Sequence, residues 1–323
     1  MLIALIQLIG GFVLLVWAAD RLVAGASATA RNFGVSPMII GLTIIGFGTS
    51  APELVVSAVA SFRGNPGLAV GNAIGSNIAN LGLILGFTAL VYPLKVESQT
   101  LRREYPLLLL IMVVCLVMVV DLEFTRIEGV LLLLGLVGLM GWMIYLSLAR
   151  GGPADPLAAE FEAEIPRDMP TRTALLWLLV GLVALPLSSS FLVDGAITIA
   201  RTLGVSDTLI GLTIVAFGTS LPELATAITS ALRHEDDLAI GNVIGSNMFN
   251  LLGVLGIASV VAPIQVPAVL LSRDFPAMFV ITGLVFMMAT GLRGPARIGR
   301  VSGAVLLSMF VGYQVMVWTA VAG

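Results

Sequence analysis

Apolar residues in this chain run on for most of each element instead of alternating with polar ones. Ten such runs follow one another, over residues 2–30, 37–62, 67–92, 104–120, 127–149, 174–200, 207–232, 238–262, 274–290 and 301–320. Most approach or exceed the roughly 20 residues that carry a helix across a bilayer. They are too long and too continuous for barrel strands. In lipid every backbone N–H and C=O must be satisfied internally, so the pattern predicts an all-α integral membrane protein with ten transmembrane helices.

The runs are not independent. Gly41-Leu-Thr-Ile-Ile-Gly-Phe-Gly-Thr-Ser50 returns 170 residues later as Gly211-Leu-Thr-Ile-Val-Ala-Phe-Gly-Thr-Ser220, with eight of ten positions unchanged. Each copy is followed by a proline and a glutamate, Pro52-Glu53 and Pro222-Glu223. Gly71-Asn-Ala-Ile-Gly-Ser-Asn-Ile-Ala-Asn80 returns as Gly241-Asn-Val-Ile-Gly-Ser-Asn-Met-Phe-Asn250 at the same offset. Gly34-Val-Ser36 matches Gly204-Val-Ser206, and Arg103-Glu-Tyr-Pro106 matches Arg273-Asp-Phe-Pro276. The expected organisation is therefore a first five-helix repeat over 1–149, a linker over 150–173 and a second five-helix repeat over 174–323. The linker holds Pro153, Pro156, Pro166 and Pro170 among five acids, with room for a short amphipathic helix around 156–165. Five crossings are an odd number, so the second repeat must enter from the opposite side. Inverted repeats of this kind are typical of secondary transporters, with the binding site near the bilayer midplane.

Composition narrows the chemistry. The 323 residues are 58% hydrophobic and 11% charged, with a net charge of -3, which offers no basic surface for nucleic acid. There is one cysteine, Cys115, inside an apolar run, and one histidine, His234, in a polar turn. Soft-metal sites and histidine-based catalysis lack their ligands. Serine hydrolysis at Ser50 or Ser220 lacks a nearby base, so no enzyme is expected. The N-terminus has no basic region or cleavage site and does not read as a removed signal. Counted on alternate loops, eleven Lys and Arg lie on the side of Arg31, Lys95 and Arg150, against Arg63, Arg126, Arg201 and Arg273 on the other. That asymmetry predicts a cytoplasmic linker and both termini outside.

Polar residues inside membrane helices are expensive and mark function by default. Pro52 and Pro222 each remove one helical hydrogen bond and would free the carbonyls of Gly48 and Gly218, so the helix is expected to break at mid-membrane. Glu53 shares a face with Thr49 and Ser50, as Glu223 does with Thr219 and Ser220. Asn72, Ser76 and Asn80 are spaced by four, and so are Asn242, Ser246 and Asn250. Four such faces would supply carboxylates, hydroxyls, amide oxygens and carbonyls: an all-oxygen set of the kind hard cations take, calcium using six to eight at about 2.3–2.6 Å. Two glutamates balance one divalent ion; sodium would use the same oxygens. The asparagines at 72, 77, 242 and 247 also suit helix–helix bonding, and Gly67, Gly71 and Gly75 ordinary small-residue packing. Asp20 and Asp194, which are not at equivalent positions, admit gating, proton binding or a structural cap. Arg103/Glu104 and Arg273/Asp274 read as snorkelling charges at segment ends.

These two duplicated blocks resemble the alpha-repeats of the sodium/calcium exchangers, within the calcium/cation antiporter superfamily. The short linker resembles that of prokaryotic members. The resemblance implies sodium–calcium exchange by alternating access in the cell membrane, with the first and sixth helices sliding against the rest. By motif position it implies calcium at Glu53, Glu223 and the carbonyls of Thr49 and Thr219. It implies sodium sites that add Ser50, Ser220, Ser76, Ser246, Asn80, Asn250 and the carbonyls of Gly46 and Ala216. No cofactor and no obligate protein partner are implied, calcium and sodium being substrates and the bilayer the surroundings. The chain departs from several relatives in carrying an amide, not an aspartate, at Asn250. A proton-coupled or potassium-dependent calcium antiporter and a passive cation channel are the rival readings.

Overall fold

The computed structural model describes residues 1–96, 99–149, 162, 165–166, 168–290 and 296–322. In chain order the helices are α1 (Leu2–Asn32), α2 (37–49), α3 (Ala51–Phe62), α4 (Pro66–Val91), α5 (Gln99–Met118) and α6 (Arg126–Ala149). Then come α7 (Thr171–Leu203), α8 (Asp207–Thr219), α9 (Leu221–Leu232), α10 (Asp236–Val261), α11 (Leu270–Thr290) and α12 (Arg300–Ala322). Seven are long and apolar enough to cross a membrane, or eight if α8 and α9, bent by 40°, form one span.

The 170-residue offset holds in the backbone. α3 and α9 coincide under it, as do α4 and α10. So do π-helical turns at Gly41–Ile45 and Gly211–Val215, and at Asn80–Ile84 and Asn250–Val254. A π turn adds one residue to a helical turn and re-aims the side chains beyond it. Here it recurs in every helix that carries a signature block.

α4 and α10 form the centre. Both are buried along most of their length, whereas α1, α6, α7 and α12 bury a third or less of theirs and turn apolar faces outward. Ile78, Leu81, Leu85, Met248, Leu251 and Leu255 lie in the main core, where Cys115 is also buried. α1 and α7 share a second core around Leu15 and Leu192. Residue 11 meets 192 and residue 22 meets 181, so α1 and α7 cross antiparallel. The contact is close enough to exclude a side chain: a Cβ on Gly181 would lie 2.7 Å from Leu22 Cα, and one on Gly11 2.8 Å from Leu192 N. Without a hydrophobic force between helices in lipid, such backbone approach supplies the packing.

Several expectations need correction. The all-helical class holds, and what the sequence does not predict is a set of short pairings at the loops. Four two-residue strands, β1 (Leu94–Lys95), β2 (Glu123–Phe124), β3 (Ile264–Gln265) and β4 (Arg297–Ile298), form two antiparallel ladders, β1 with β4 and β2 with β3. Each ties a loop of one half to a loop of the other. α5 and α11 begin at Gln99 and Leu270, ahead of the expected 104 and 274. On α11 the charges are satisfied inside the protein: Arg273 Nε donates to Asp274 Oδ1 at 2.7 Å, and Tyr313 of α12 donates to the same oxygen at 2.9 Å. Asp274 is fully buried, so it does not snorkel, and Glu104 is buried as well. The Arg103 side chain lies outside the described residues. α7 starts at Thr171 behind Pro170, three residues into the expected linker. The linker helix expected around 156–165 falls outside the described residues except at 162 and 165. Asp194 pairs with Arg63 and Asp20 with Arg21, whose guanidinium lies 4.7 Å from the centre of the Trp177 ring.

Replacing Gly181 with valine should destabilise the fold by about 1–3 kcal/mol through overpacking, lowering the thermal unfolding midpoint in detergent. Gly10→Ala, where a Cβ meets nothing within 4 Å, should leave it unchanged.

Candidate cation site

The break comes at Ser50 and Ser220, whose backbones leave the helical region (φ -87°, ψ 2° and φ -83°, ψ 7°). Pro52 and Pro222 then sit in the first turn of α3 and α9, where their missing N–H costs nothing. This differs from the expectation in one respect. The Gly48 and Gly218 carbonyls are not left free, since each accepts a backbone N–H at the helix cap. The break instead places Glu53 and Glu223 in the first turn of a new helix, where the dipole favours negative charge.

Both glutamates are fully buried. Each is held by the other half of the chain. Ser220 Oγ donates to Glu53 Oε1 at 3.2 Å, and Ser50 Oγ donates to Glu223 Oε1 at 3.4 Å. The threonines cross the same way: Thr219 Oγ1 donates to Asn72 Oδ1 at 3.0 Å and Thr49 Oγ1 to Asn242 Oδ1 at 3.1 Å. Thr49 and Thr219 also approach the Gly46 and Ala216 carbonyls, at 3.4 Å each. The symmetry is incomplete: Ser246 donates to Glu223 Oε1 at 3.1 Å, while Ser76 Oγ has no partner.

The second oxygens of both glutamates, Glu53 Oε2 and Glu223 Oε2, have no hydrogen-bond partner, and neither do Asn80 Oδ1 and Asn250 Oδ1. All lie on residues without solvent exposure. Buried polar atoms are nearly always satisfied. The four oxygens form two pairs, each related by the repeat and one of them on carboxylates, and oxygens without donors are what a hard cation takes. Among the described residues no three of His, Cys, Asp and Glu gather to hold a metal, so neutral oxygens must complete any coordination shell.

Of the residues singled out from the sequence, hydrogen bonds link Thr49 with Asn242 and Ser246, Ser50 and Ser246 with Glu223, Ser220 with Glu53 and Thr219 with Asn72. Thr49 and Thr219 approach the Gly46 and Ala216 carbonyls. Asn80 and Asn250 bond instead to Asn247 and Asn77, and Ser76 Oγ has no partner. Asn72 does more than join helices. It accepts from Thr219 and donates to the Glu53 carbonyl at 3.3 Å and to Ser57 Oγ at 3.0 Å. Ser57 could not be found from the repeat, because its equivalent position holds Ala227.

The pattern of the family described as "Sodium/calcium exchanger protein" matches residues 3–147 and 173–319. The chain belongs to the sodium/calcium exchanger family. It is 48% identical over 320 residues to CaxA of Alkalimonas amylolytica, covering 99% of this chain and 100% of that protein. It is 31% identical over 347 residues to the sodium/calcium exchanger MaX1 of Methanosarcina acetivorans, covering 95% and 96%. A solved structure of the sodium-calcium exchanger NCX_Mj, soaked with sodium and strontium, superposes with a TM-score of 0.66 at 32% identity, covering 96% of this chain and 97% of that one. The exchanger is a multi-pass membrane cation antiporter.

Glu53→Gln and Glu223→Gln keep an acceptor for the crossing serine, so both variants should insert and fold. Each removes one of two site charges, and calcium affinity should fall on the order of 100-fold. Calcium titration of the purified protein checks this, and unchanged affinity in either variant would contradict the site.

Proposed function

We propose that the exchanger moves calcium out of the cell against sodium influx by alternating access. Both ions would use the site between the halves. The observation that carries this reading is the pair of buried glutamates, each bonded from the opposite half and each retaining one oxygen without a donor. Calcium would take Glu53, Glu223 and the carbonyls of Thr49 and Thr219, its charge balancing the two carboxylates. Sodium would add the hydroxyls of Ser50, Ser220, Ser76 and Ser246, the amide oxygens of Asn80 and Asn250 and the carbonyls of Gly46 and Ala216. No cofactor enters the scheme.

The proposed architecture is ten spans in two inverted repeats, 1–149 and 174–323, joined by a cytoplasmic linker over 150–173, with both termini outside. Three observations support it. α1 and α7, equivalent under the repeat, cross antiparallel. The loop after α4 pairs with the loop before α12, and the loop after α5 with the loop before α11. These pairings suit alternating crossings, because each joins loops that would lie on one side. Positive loop residues concentrate on the linker side. A site shared by two inverted halves can open to either side by rocking one half against the other.

Calcium efflux from loaded proteoliposomes should require external sodium and stop when an impermeant cation replaces it. Efflux driven instead by an opposing pH gradient in sodium-free medium would overturn sodium coupling in favour of proton coupling. Efflux that needs no counter-ion would indicate a channel. Protons compete with calcium for the same carboxylates, so calcium affinity should weaken as pH falls from neutral into the acid range. A flat profile in a binding titration would argue against direct ligation by Glu53 and Glu223.

A further inference from the structure

Asn77 and Asn247 hold no place in the proposed ligand set, yet both are buried one helical turn before Asn80 and Asn250. Their bonds cross between halves. Asn80 Nδ2 donates to Asn247 Oδ1 at 3.0 Å, and Asn250 Nδ2 donates to Asn77 Oδ1 at 3.4 Å. A carboxamide offers an oxygen and an NH₂ at two ends of one plane. Once its NH₂ is bound, the direction of its oxygen is settled. The two oxygens so directed, Asn80 Oδ1 and Asn250 Oδ1, are buried without partners. We infer that Asn77 and Asn247 are positioning residues, each fixing the amide of the opposite repeat so that its oxygen, and not its NH₂, faces the cation. This rests on the reading of Asn80 and Asn250 as sodium ligands.

The consequence for ion binding is one of sign. An amide free to rotate can present its NH₂, whose positive end repels a cation. Loss of the bond from either anchor therefore weakens cation binding more than the loss of an oxygen dipole alone.

The two anchors differ in strength. Asn247 is held at both ends, since its own Nδ2 donates to the Asn77 carbonyl at 3.3 Å. Turning its amide would break that bond and set an NH₂ against the NH₂ of Asn80. Asn77 Nδ2 meets only Met278 Sδ, at 3.7 Å, a weak acceptor, so its amide turns at little cost. The repeat makes positions 77 and 247 identical in sequence, but the surroundings make the 247 anchor rigid and the 77 anchor adaptable.

The test uses the full chain in proteoliposomes and measures sodium-driven calcium flux as half-saturating sodium, half-saturating calcium and maximum rate. A neutral hydrogen bond corresponds to about two- to tenfold in an equilibrium. Asn247→Leu should raise half-saturating sodium about tenfold and Asn77→Leu about threefold, with half-saturating calcium and maximum rate changed by less than about twofold. Where a leucine variant fails to insert, the alanine variant at the same position is measured in its place, with the same expectation. Asn80→Ala and Asn250→Ala test the underlying reading separately. If these two raise half-saturating sodium while the variants at 77 and 247 leave it unchanged, the positioning role is refuted and the ligand reading stands. If Asn80→Ala and Asn250→Ala themselves leave sodium dependence unchanged, the ligand reading fails and the inference with it. A fall in maximum rate alone at 77 or 247 would show a packing role and overturn the proposal.

Discussion

Two carboxylates lie fully buried in a membrane protein, and neither is bonded by its own half alone. Glu53 accepts from Ser220 and Glu223 from Ser50. Burying an unpaired charge in a low-dielectric interior costs several kcal/mol even after relaxation, so the carboxylates constrain everything around them. They need hydroxyls, a helix N-terminus and a cation or proton within reach. The breaks at Ser50 and Ser220 supply the first two by ending one helix and starting another inside the bundle. The oxygens left without donors mark where the third belongs.

This arrangement explains why the site cannot reside in one repeat. Either half alone would hold a glutamate without its crossing serine, and an Asn72 or Asn242 with no threonine to accept from. The crossed bonds of the serines, threonines and asparagines assemble only when the halves interlock. The two β ladders do the same work at the ends, since each joins a loop of one half to a loop of the other. The α1–α7 pair is built differently. It has its own apolar core and contacts through backbone at glycine. The polar contacts between these two helices lie towards one end of the pair, where Asn32 donates to Thr171 and Arg21 stacks on Trp177.

The symmetry is also incomplete, and its departures carry information. Ser246 bonds Glu223 while Ser76 bonds nothing. A Cβ on Gly75 would lie 2.6–2.8 Å from Leu212 and Ala216, whereas one on the equivalent Gly245 would meet nothing within 4 Å. Two halves with the same sequence pattern thus close differently around one centre. Arg63 pairs with Asp194, and the position equivalent to Asp194 is Ala24, so this aspartate is not repeated.

The sequence by itself determined the helical membrane class, the segment boundaries to within a few residues, the duplication and the identity of the polar set. Each of these follows from local or periodic facts. A long apolar run must be helical in lipid, a proline must sit near a helix start, and residues four apart share a face. A carboxylate that appears twice at one offset inside such runs has no ordinary structural excuse. Only the tertiary structure decided which hydroxyl meets which carboxylate, that Gly48 and Gly218 keep their bonds, that four π turns aim the site helices, and that Asp274 is buried against Arg273 and Tyr313. Those outcomes depend on distances between residues up to 173 positions apart, and no periodicity encodes them. Ser57 and the unequal anchoring of Asn77 and Asn247 were out of reach for a further reason. Repetition marks what the halves share, and these features arise where the surroundings of the two halves differ.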